Sequence, residues 1–170
     1  EQGRFVLFSG TPCQVDGLYR FLGEHPENLL TCDFACGGVS SPGVWERFVE
    51  SMTYVTRRRA VEVRFCATMK GAKERRFRVR FEGGGTFDAP LGKSQLGRGI
   101  ARRLFLRPAC YRCAYANTNR SADLTMGALW SLPKGSCQKD GASLLLINTV
   151  KGAHIFDRLP LKRESWALEE

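Results

Sequence analysis

Residues 5–22, FVLFSGTPCQVDGLYRFL, are the segment that most constrains what this chain can fold into. The apolar run FVLF is typical of a buried strand, and the Ser-Gly pair after it is typical of a tight turn. Thr11 is then a favourable N-cap, Pro12 suits the first helical position, and Gln14 completes a capping-box pattern. The segment therefore predicts a strand that passes directly into a helix.

A second strand and helix follow the first pair. Residues 29–36, LLTCDFAC, predict a strand that stops at a Gly-Gly pair. A helix is predicted from Ser41-Pro42 to Met52, because apolar residues recur there at helical spacing. Two such pairs in succession indicate an α/β sheet, and in open α/β sheets ligands bind at the carboxyl ends of the strands.

The middle of the chain has a different pattern. Residues 61–65, 76–82 and 86–88 alternate apolar and polar side chains, and three consecutive glycines link the last two segments as a hairpin. This alternation predicts an antiparallel sheet with one exposed face.

The rest of the chain returns to mixed elements. Residues 92–106 predict a helix, residues 122–126 and 143–148 predict further strands, and residues 151–159 predict a last helix. The expected fold class is therefore α/β, with a mixed β-sheet flanked by helices and an antiparallel β insertion in the middle.

Length and composition predict one domain over residues 1–170, because 43% hydrophobic content can form a single core and no linker interrupts the chain. The chain enters a strand almost at once and lacks an initiating Met, so we expect a segment of a longer protein. No apolar run approaches the roughly 20 residues of a membrane span, and no signal peptide is recognisable, so we expect a cytoplasmic protein without a membrane span.

The formal net charge of +9 predicts a surface that attracts anions. An acidic protein, a phosphorylated cofactor and a nucleic acid are the possible classes. The arginines alternate with apolar residues, which is typical of a half-exposed sheet with a cationic polar face. Since no finger, RNP-type or helix-turn-helix motif is present, no nucleic-acid partner is expected.

Seven cysteines point to ligands, catalytic thiols or core residues rather than to a disulfide framework, since their number is odd. Cys13 falls in the first turn of the first predicted helix, where backbone amides and the helix dipole favour a thiolate. Cys36 ends the second predicted strand, so it can meet Cys13 at one edge of a sheet. Cys110 and Cys113 form a Cys-x-x-Cys pair in RPACYRCAYA, a spacing that fits zinc, iron–sulfur and dithiol chemistry alike.

A [4Fe–4S] cluster needs four thiolates, and one local pair plus two single cysteines favours such a cluster over a zinc knuckle, which more often has two local pairs. Cys32 competes for the fourth position, because it shares a strand face with Cys36. The expectation for Cys32, Cys66 and Cys137 is otherwise that of small buried or loop thiols.

Two alternatives from other functional classes remain open on the residues alone. One is a zinc-stabilised, basic nucleic-acid-binding module, which the net charge and the Cys-x-x-Cys pair would suit. The other is a thiol-redox enzyme in which Cys13 is the nucleophile at a helix N-terminus.

Four motifs carry a family resemblance: GTPCQVDGLYRFL, CDFACGGVSSPGVW, RPACYRCAYANTNRSADLTMGALWS and SLLLINTVKG. Together they resemble the C-terminal domain of the coenzyme F420 hydrogenase/dehydrogenase beta-subunit family, an iron–sulfur flavoprotein family. The resemblance implies an oxidoreductase that passes electrons between a [4Fe–4S] cluster and FAD. It also implies a two-electron carrier such as a deazaflavin coenzyme or a related small-molecule substrate, and a redox partner that is a ferredoxin-like protein or a hydrogenase-type subunit. It further implies that the N-terminal part of the protein is missing.

The resemblance also assigns residues. It implies that Cys13, Cys36, Cys110 and Cys113 bind the cluster, and it demotes Cys32. It implies that residues near the flavin and the cluster are Ser9, Gly10, Thr11, Pro12, Gln14, Asp123, Thr125 and Gly127. It identifies no catalytic acid or base.

Overall fold

A computed structural model describes residues 3–67, 76–128 and 143–163, except for the side chains of residues 65–67. In chain order its elements are β1 (Val6–Gly10), α1 (Pro12–Leu22), β2 (Leu29–Phe34), α2 (Pro42–Thr56), β3 (Ala60–Ala67), β4 (Arg76–Phe81), β5 (Thr86–Pro90), a 3₁₀ turn (Leu91–Lys93), α3 (Gln95–Ala101), α4 (Pro108–Tyr111), β6 (Leu124–Ala128), β7 (Ser143–Ile147) and α5 (Val150–Asp157).

The chain forms two compact units. The second unit is one continuous stretch, Gly37–Cys113, and the first unit consists of the chain before and after it. The first unit contains a mixed sheet and the second an antiparallel one, so the predicted α/β class with an antiparallel β insertion in the middle is confirmed.

The sheet of the first unit has the strand order β1-β2-β6-β7. β1, β2 and β6 run parallel to one another, and β7 pairs antiparallel with β6. Helix α1 connects the two neighbouring parallel strands β1 and β2, as parallel pairing requires a crossover. The carboxyl ends of three strands therefore lie at one edge of this sheet.

Helix α1 packs on this sheet through an apolar stripe. Val15 and Tyr19, one helical turn apart, are buried together with Leu29 of β2 and with Ala122. The hydroxyl of Tyr19 lies 2.8 Å from that of Thr31 in β2, so the polar end of the buried ring is hydrogen-bonded. The start of α1 agrees with the sequence prediction, since Thr11 precedes it, and Gly23 ends the helix with a φ of 72°.

The sheet of the second unit has the strand order β3-β4-β5 and is antiparallel throughout. In β4, Phe77, Val79 and Phe81 point to a buried core that includes Leu96 of α3. Arg76, Arg78 and Arg80 alternate with them and therefore point to the opposite face. The predicted cationic sheet face is confirmed.

Two elements differ from the prediction. Residues 6–8 do form a strand, but β1 continues through Ser9 and Gly10, where a tight turn was predicted. It is also not buried, because β1 is an edge strand and Leu7 is 63% exposed. Residues 92–106 do not form one helix. The hydroxyl of Ser94 accepts a hydrogen bond from Gly97 N at 2.9 Å, so α3 begins only after Ser94, and it ends before Arg103, which adopts a φ of 55°.

Among the residues that the structure describes, none of the helices combines the length and apolar character that crossing a membrane requires.

Replacing Gly152 with Ala is expected to lower the free energy of unfolding by about 2 kcal/mol, because helix α5 packs closely on the start of β6. A Cβ at Gly152 would lie 2.5 Å from the carbonyl oxygen of Asp123, which is backbone and has little freedom to move aside. Gly17 of α1 is the matched control, since an added Cβ there meets nothing within 4 Å. Gly17→Ala should stabilise the protein by up to about 1 kcal/mol. Urea unfolding of both variants measures the difference, and equal effects would contradict the packing.

Candidate functional site

The carboxyl edge of the parallel strands is the candidate site in the first unit. Cys13 lies in the first turn of α1, directly after β1, and Cys36 follows the end of β2. Thr125 and Gly127 lie in β6, whose Met126 O accepts a hydrogen bond of 2.7 Å from Ala35 N. The topology thus brings Cys13 and Cys36 to the same sheet edge, as the two strand–helix turns predicted.

The turn before Cys13 is held by hydrogen bonds between Thr11 and Gln14. Thr11 N donates to Gln14 Oε1 at 2.8 Å, and Thr11 Oγ1 donates to the same oxygen at 3.0 Å. A Cβ at Gly10 would lie 3.0 Å from this oxygen, so the absence of a side chain there lets Gln14 fold back over the turn. Thr11 and Gln14 therefore cap α1 as predicted.

The thiol of Cys13 is exposed and has a hydroxyl within reach. Cys13 Sγ lies 3.1 Å from Thr11 Oγ1. Because the single hydroxyl proton of Thr11 is donated to Gln14 Oε1, the Cys13 S–H is the donor in this contact. The exposed thiol is accessible to a metal or a substrate.

Cys110 lies in the second unit, in the short helix α4, where a neighbouring loop contacts its sulfur. Val39 N donates to Cys110 Sγ at 3.5 Å, and Arg107 N donates to Val39 O at 2.8 Å. Gly38 has a φ of 97°, and a Cβ there would lie 2.8 Å from Leu106 Cδ1 and 3.4 Å from Cys110 Cβ. Only glycine fits this close approach without displacing its neighbours.

Exposure separates the predicted ligands from the competing thiol. Cys13, Cys36 and Cys113 are exposed and Cys110 is half-buried, whereas Cys32 is only 7% exposed. Burial, and then the neighbouring charge of Asp33, raise the pKa of the Cys32 thiol, so it stays protonated at neutral pH. Cys32 thus has the character of a core thiol. The side chain of Cys66 and all of Cys137 lie outside the described residues.

The four predicted ligands are divided between the units, with Cys13 and Cys36 in the first and Cys110 and Cys113 in the second. Within either unit, the described residues include no group of three His, Cys, Asp or Glu side chains that could hold a metal ion. Each of the four side chains, taken by itself, is a thiol that is accessible at least in part. The complete ligand set stays a prediction.

Asp123 is enclosed by protein donors. Its Oδ2 accepts from Thr31 N at 2.8 Å and from Thr31 Oγ1 at 3.0 Å, and its Oδ1 accepts from Thr149 Oγ1 at 2.7 Å. Lys151 Nζ lies 3.5 Å from Oδ2. The buried carboxylate therefore joins β2 to the start of α5. These contacts do not test whether Asp123 lies near a cofactor, which stays a prediction.

Thr125 is also buried, and its hydroxyl accepts a hydrogen bond of 3.0 Å from Asn148 Nδ2. Pro12, another predicted cofactor-binding residue, is buried as well. The side chains of Thr125 and Pro12 are therefore not exposed at this edge.

A buried ion pair at this edge was missed by the sequence analysis. Asp33 is 1% exposed and stands in register between Gly10 of β1 and Thr125 of β6. Its Oδ2 lies 4.0 Å from Nη1 of Arg120, whose side chain is 10% exposed. Both carboxylate oxygens of Asp33, and Nε and Nη1 of Arg120, have no hydrogen-bond partner among the described residues. The available signal was an acidic residue within the otherwise apolar strand LLTCDFAC.

Asp16, which lies in α1, links this helix to the chain that follows the second unit. Its carboxylate accepts from Tyr115 Oη at 2.7 Å, from Arg20 Nε at 2.6 Å and from Ser121 Oγ at 3.2 Å. The hydrogen bond from Tyr115, followed by that from Arg20, lowers the pKa of Asp16 below its ordinary value. The carboxylate therefore holds the first turns of α1 against residues 115–121.

A comparison with known families identifies this architecture. The family described as the C terminus of the beta subunit in coenzyme F420 hydrogenase/dehydrogenase matches residues 3–166, nearly the whole chain. The chain belongs to this family, and the resemblance noted in the four motifs is confirmed. The family's name is that of an oxidoreductase subunit. No curated protein matches the chain.

Replacing Asp33 with Leu is expected to lower the free energy of unfolding by about 3 to 5 kcal/mol, because Arg120 is left as a buried, unpaired charge. The double variant D33L/R120M removes both charges with similar volumes and should recover most of that loss. Urea unfolding at neutral pH gives the two values. Equal losses in the single and double variants would show that the two side chains do not depend on each other.

Replacing Tyr115 with Phe is expected to raise the pKa of Asp16 towards its ordinary value, since the largest cause of its lowering is removed. The stability that the wild-type chain gains from this lowered pKa is present above the ordinary value of 3.8 and is lost as the pH falls through the lower folded-state value. The variant should therefore be less stable at neutral pH and approach the wild type in acid. An NMR titration of the Asp16 carboxyl and thermal unfolding against pH test this, with Tyr54→Phe on the exposed face of α2 as control.

Proposed function

We propose, on the basis of this family membership, that the chain is the electron-transferring part of an oxidoreductase. It would pass electrons between a [4Fe–4S] cluster and FAD, and so reduce or oxidise a two-electron carrier such as a deazaflavin coenzyme or a related small molecule. The observation that supports this most directly is the position of Cys13 and Cys36 at the carboxyl edge of adjacent parallel strands.

In this proposal Cys13, Cys36, Cys110 and Cys113 hold the cluster, and Cys32 does not. The exposure of three of these thiols and the partial exposure of Cys110 support the assignment, as does the burial of Cys32. The Val39 amide beside Cys110 can donate to a ligand sulfur. Hydrogen bonds to cluster sulfurs are one of the ways in which a protein sets the reduction potential.

The flavin is proposed to lie along the turn that starts α1 and along the end of β6. Ser9 and Gly10 end β1, Thr11 makes the turn into α1 and Pro12 begins the helix, whose dipole favours a phosphate or another anionic group at this end. Gln14 supports this turn through its contact with Thr11 N, and Asp123 supports the strand that carries Thr125 and Gly127. When bound, the cluster supplies one-electron transfer and the flavin supplies two-electron chemistry.

The family's name also suggests an assembly. We propose that the protein works with a redox partner, which is either a hydrogenase-type subunit or a ferredoxin-like protein, and with a coenzyme as the second substrate. This chain's residues would contribute binding and orientation, and the described residues include no group that we assign as a catalytic acid or base.

Anaerobic purification of the full-length protein is expected to give about four irons and four acid-labile sulfides per chain, together with a flavin absorption spectrum. Cys110→Ser should lose the cluster, because a ligand is removed, whereas Cys32→Ala should keep it. Metal and sulfide analysis of the three proteins provides the measurement. Zinc without sulfide, or a Cys110→Ser variant with an unchanged cluster, would contradict the proposal and favour the zinc or thiol alternatives.

A further inference from the structure

Among the described side chains, the outward face of the sheet in the second unit carries four arginines and two acidic residues. Arg76, Arg78 and Arg80 lie at alternate positions of β4, about 7 Å apart along the strand. Arg64 of β3 is in register with Arg78, and Asp88 of β5 is in register with Arg78 on the other side. We call this surface the arginine face; its charged members are Glu62, Arg64, Arg76, Arg78, Arg80 and Asp88.

Each acidic residue of the arginine face is shared by two arginines. Glu62 accepts from Arg64 Nε at 2.5 Å and from Arg80 Nε at 2.8 Å. Asp88 accepts from Arg76 Nε at 2.5 Å and from Arg78 Nη2 at 2.5 Å. Among the described side chains, Arg64 and Arg80 thus share the single carboxylate of Glu62, and these three residues together carry a net positive charge.

Both carboxylates stay ionised. The hydrogen bond from Arg80 is the main cause that lowers the pKa of Glu62, and the hydrogen bond from Arg78 is the main cause that lowers the pKa of Asp88. The pattern of alternating charges on the face is therefore a constant feature at neutral pH.

The arginine face is accessible and indented. The side chains of Arg64 and Arg80 are 65% and 58% exposed. Together with Thr86 of β5, residues of the face line a depression of about 310 Å³, and these lining residues are Glu62, Arg64, Arg78, Arg80 and Thr86. Arg64 and Arg80 bind Glu62 through Nε, so the other N–H groups of these two exposed guanidinium groups can donate to a carboxylate.

The distribution of side chains favours a protein over a nucleic acid as the occupant. The aromatic residues of β4, Phe77 and Phe81, point to the core, and Phe87 is in register with Val79, which also points inward. Among the described side chains, the arginine face therefore has no aromatic ring on which a base could stack. Glu62 and Asp88 would repel a continuous phosphate backbone, whereas a protein surface can match a mixed pattern of charges.

We propose that the arginine face is a docking surface for an acidic protein surface. Carboxylates of the partner would bind the exposed guanidinium groups of Arg64 and Arg80, and basic residues of the partner could pair with Glu62 and Asp88. The inference rests on the charge pattern of β3, β4 and β5, and it holds whether or not the chain binds a cluster and a flavin. Arginine is among the residues that contribute most strongly to protein interfaces.

The test uses the full-length protein and two fluorescent probes of matched length, poly-L-glutamate and oligodeoxythymidine. The variant R64Q/R80Q removes two exposed arginines of the face while keeping Arg76 and Arg78 with Asp88. The control variant R47Q/R163Q removes two exposed arginines that pair with Glu50 and Asp157 outside the face, so both variants lose the same charge. Circular dichroism and thermal unfolding check that the variants are folded.

Fluorescence anisotropy should show that the wild type binds poly-L-glutamate with an affinity that falls as ionic strength rises. R64Q/R80Q is expected to raise the Kd about ten-fold, and R47Q/R163Q less than about two-fold. An equal loss of poly-L-glutamate affinity in both variants would show that binding depends only on net charge, and it would overturn the proposal. Absence of poly-L-glutamate binding, or a selective loss of oligodeoxythymidine binding in R64Q/R80Q, would overturn it as well. Iron, sulfide and flavin content, measured on the same proteins, report separately on the redox function.

Discussion

The buried carboxylate of Asp123 is the interaction on which the first unit depends. It binds both the backbone and the side chain of Thr31 in β2, and it also binds Thr149 at the start of α5. These bonds lock the register between β2 and β6, since a shift by one residue would turn Asp123 to the wrong face. The alignment of the strand ends that carry Cys36, Thr125 and Gly127 follows from that register. A single acidic side chain thus fixes where the candidate site can form.

Local signals predicted the local structure well. The Thr-Pro start of α1, the Ser-Pro start of α2 and the alternation in β4 each reflect interactions between residues close in sequence. Strand order is different, because it depends on pairings between distant segments. An apolar run such as residues 5–8 looks the same whether it becomes a central strand or, as here, an edge strand. The helix predicted over residues 92–106 is interrupted because Arg103 adopts a left-handed conformation. The residues next to Arg103 in the sequence do not predict that conformation.

The same distinction applies to the candidate site. A cysteine can be recognised as a possible metal ligand from its residue type alone. The positions of Cys13 and Cys36 after strand ends could be predicted from the sequence patterns around them. The environment of a carboxylate cannot be predicted in that way. Asp123 in front of an apolar run is compatible with a ligand contact or with an interior hydrogen-bond network, and the structure shows the network. Asp33 and Arg120 are far apart in the chain, so only the fold reveals that they form a buried pair.

The shared carboxylates of the arginine face have a consequence for the entropy of association. Arginine side chains lose considerable rotamer freedom when they are immobilised at an interface. On β4 that freedom is already restricted, because Glu62 and Asp88 hold the guanidinium groups in place before any partner arrives. Such a surface behaves as a preorganised array, in which complementary charges can be recognised by their spacing. Selectivity would then come from the fixed pitch of the strand as much as from the amount of charge.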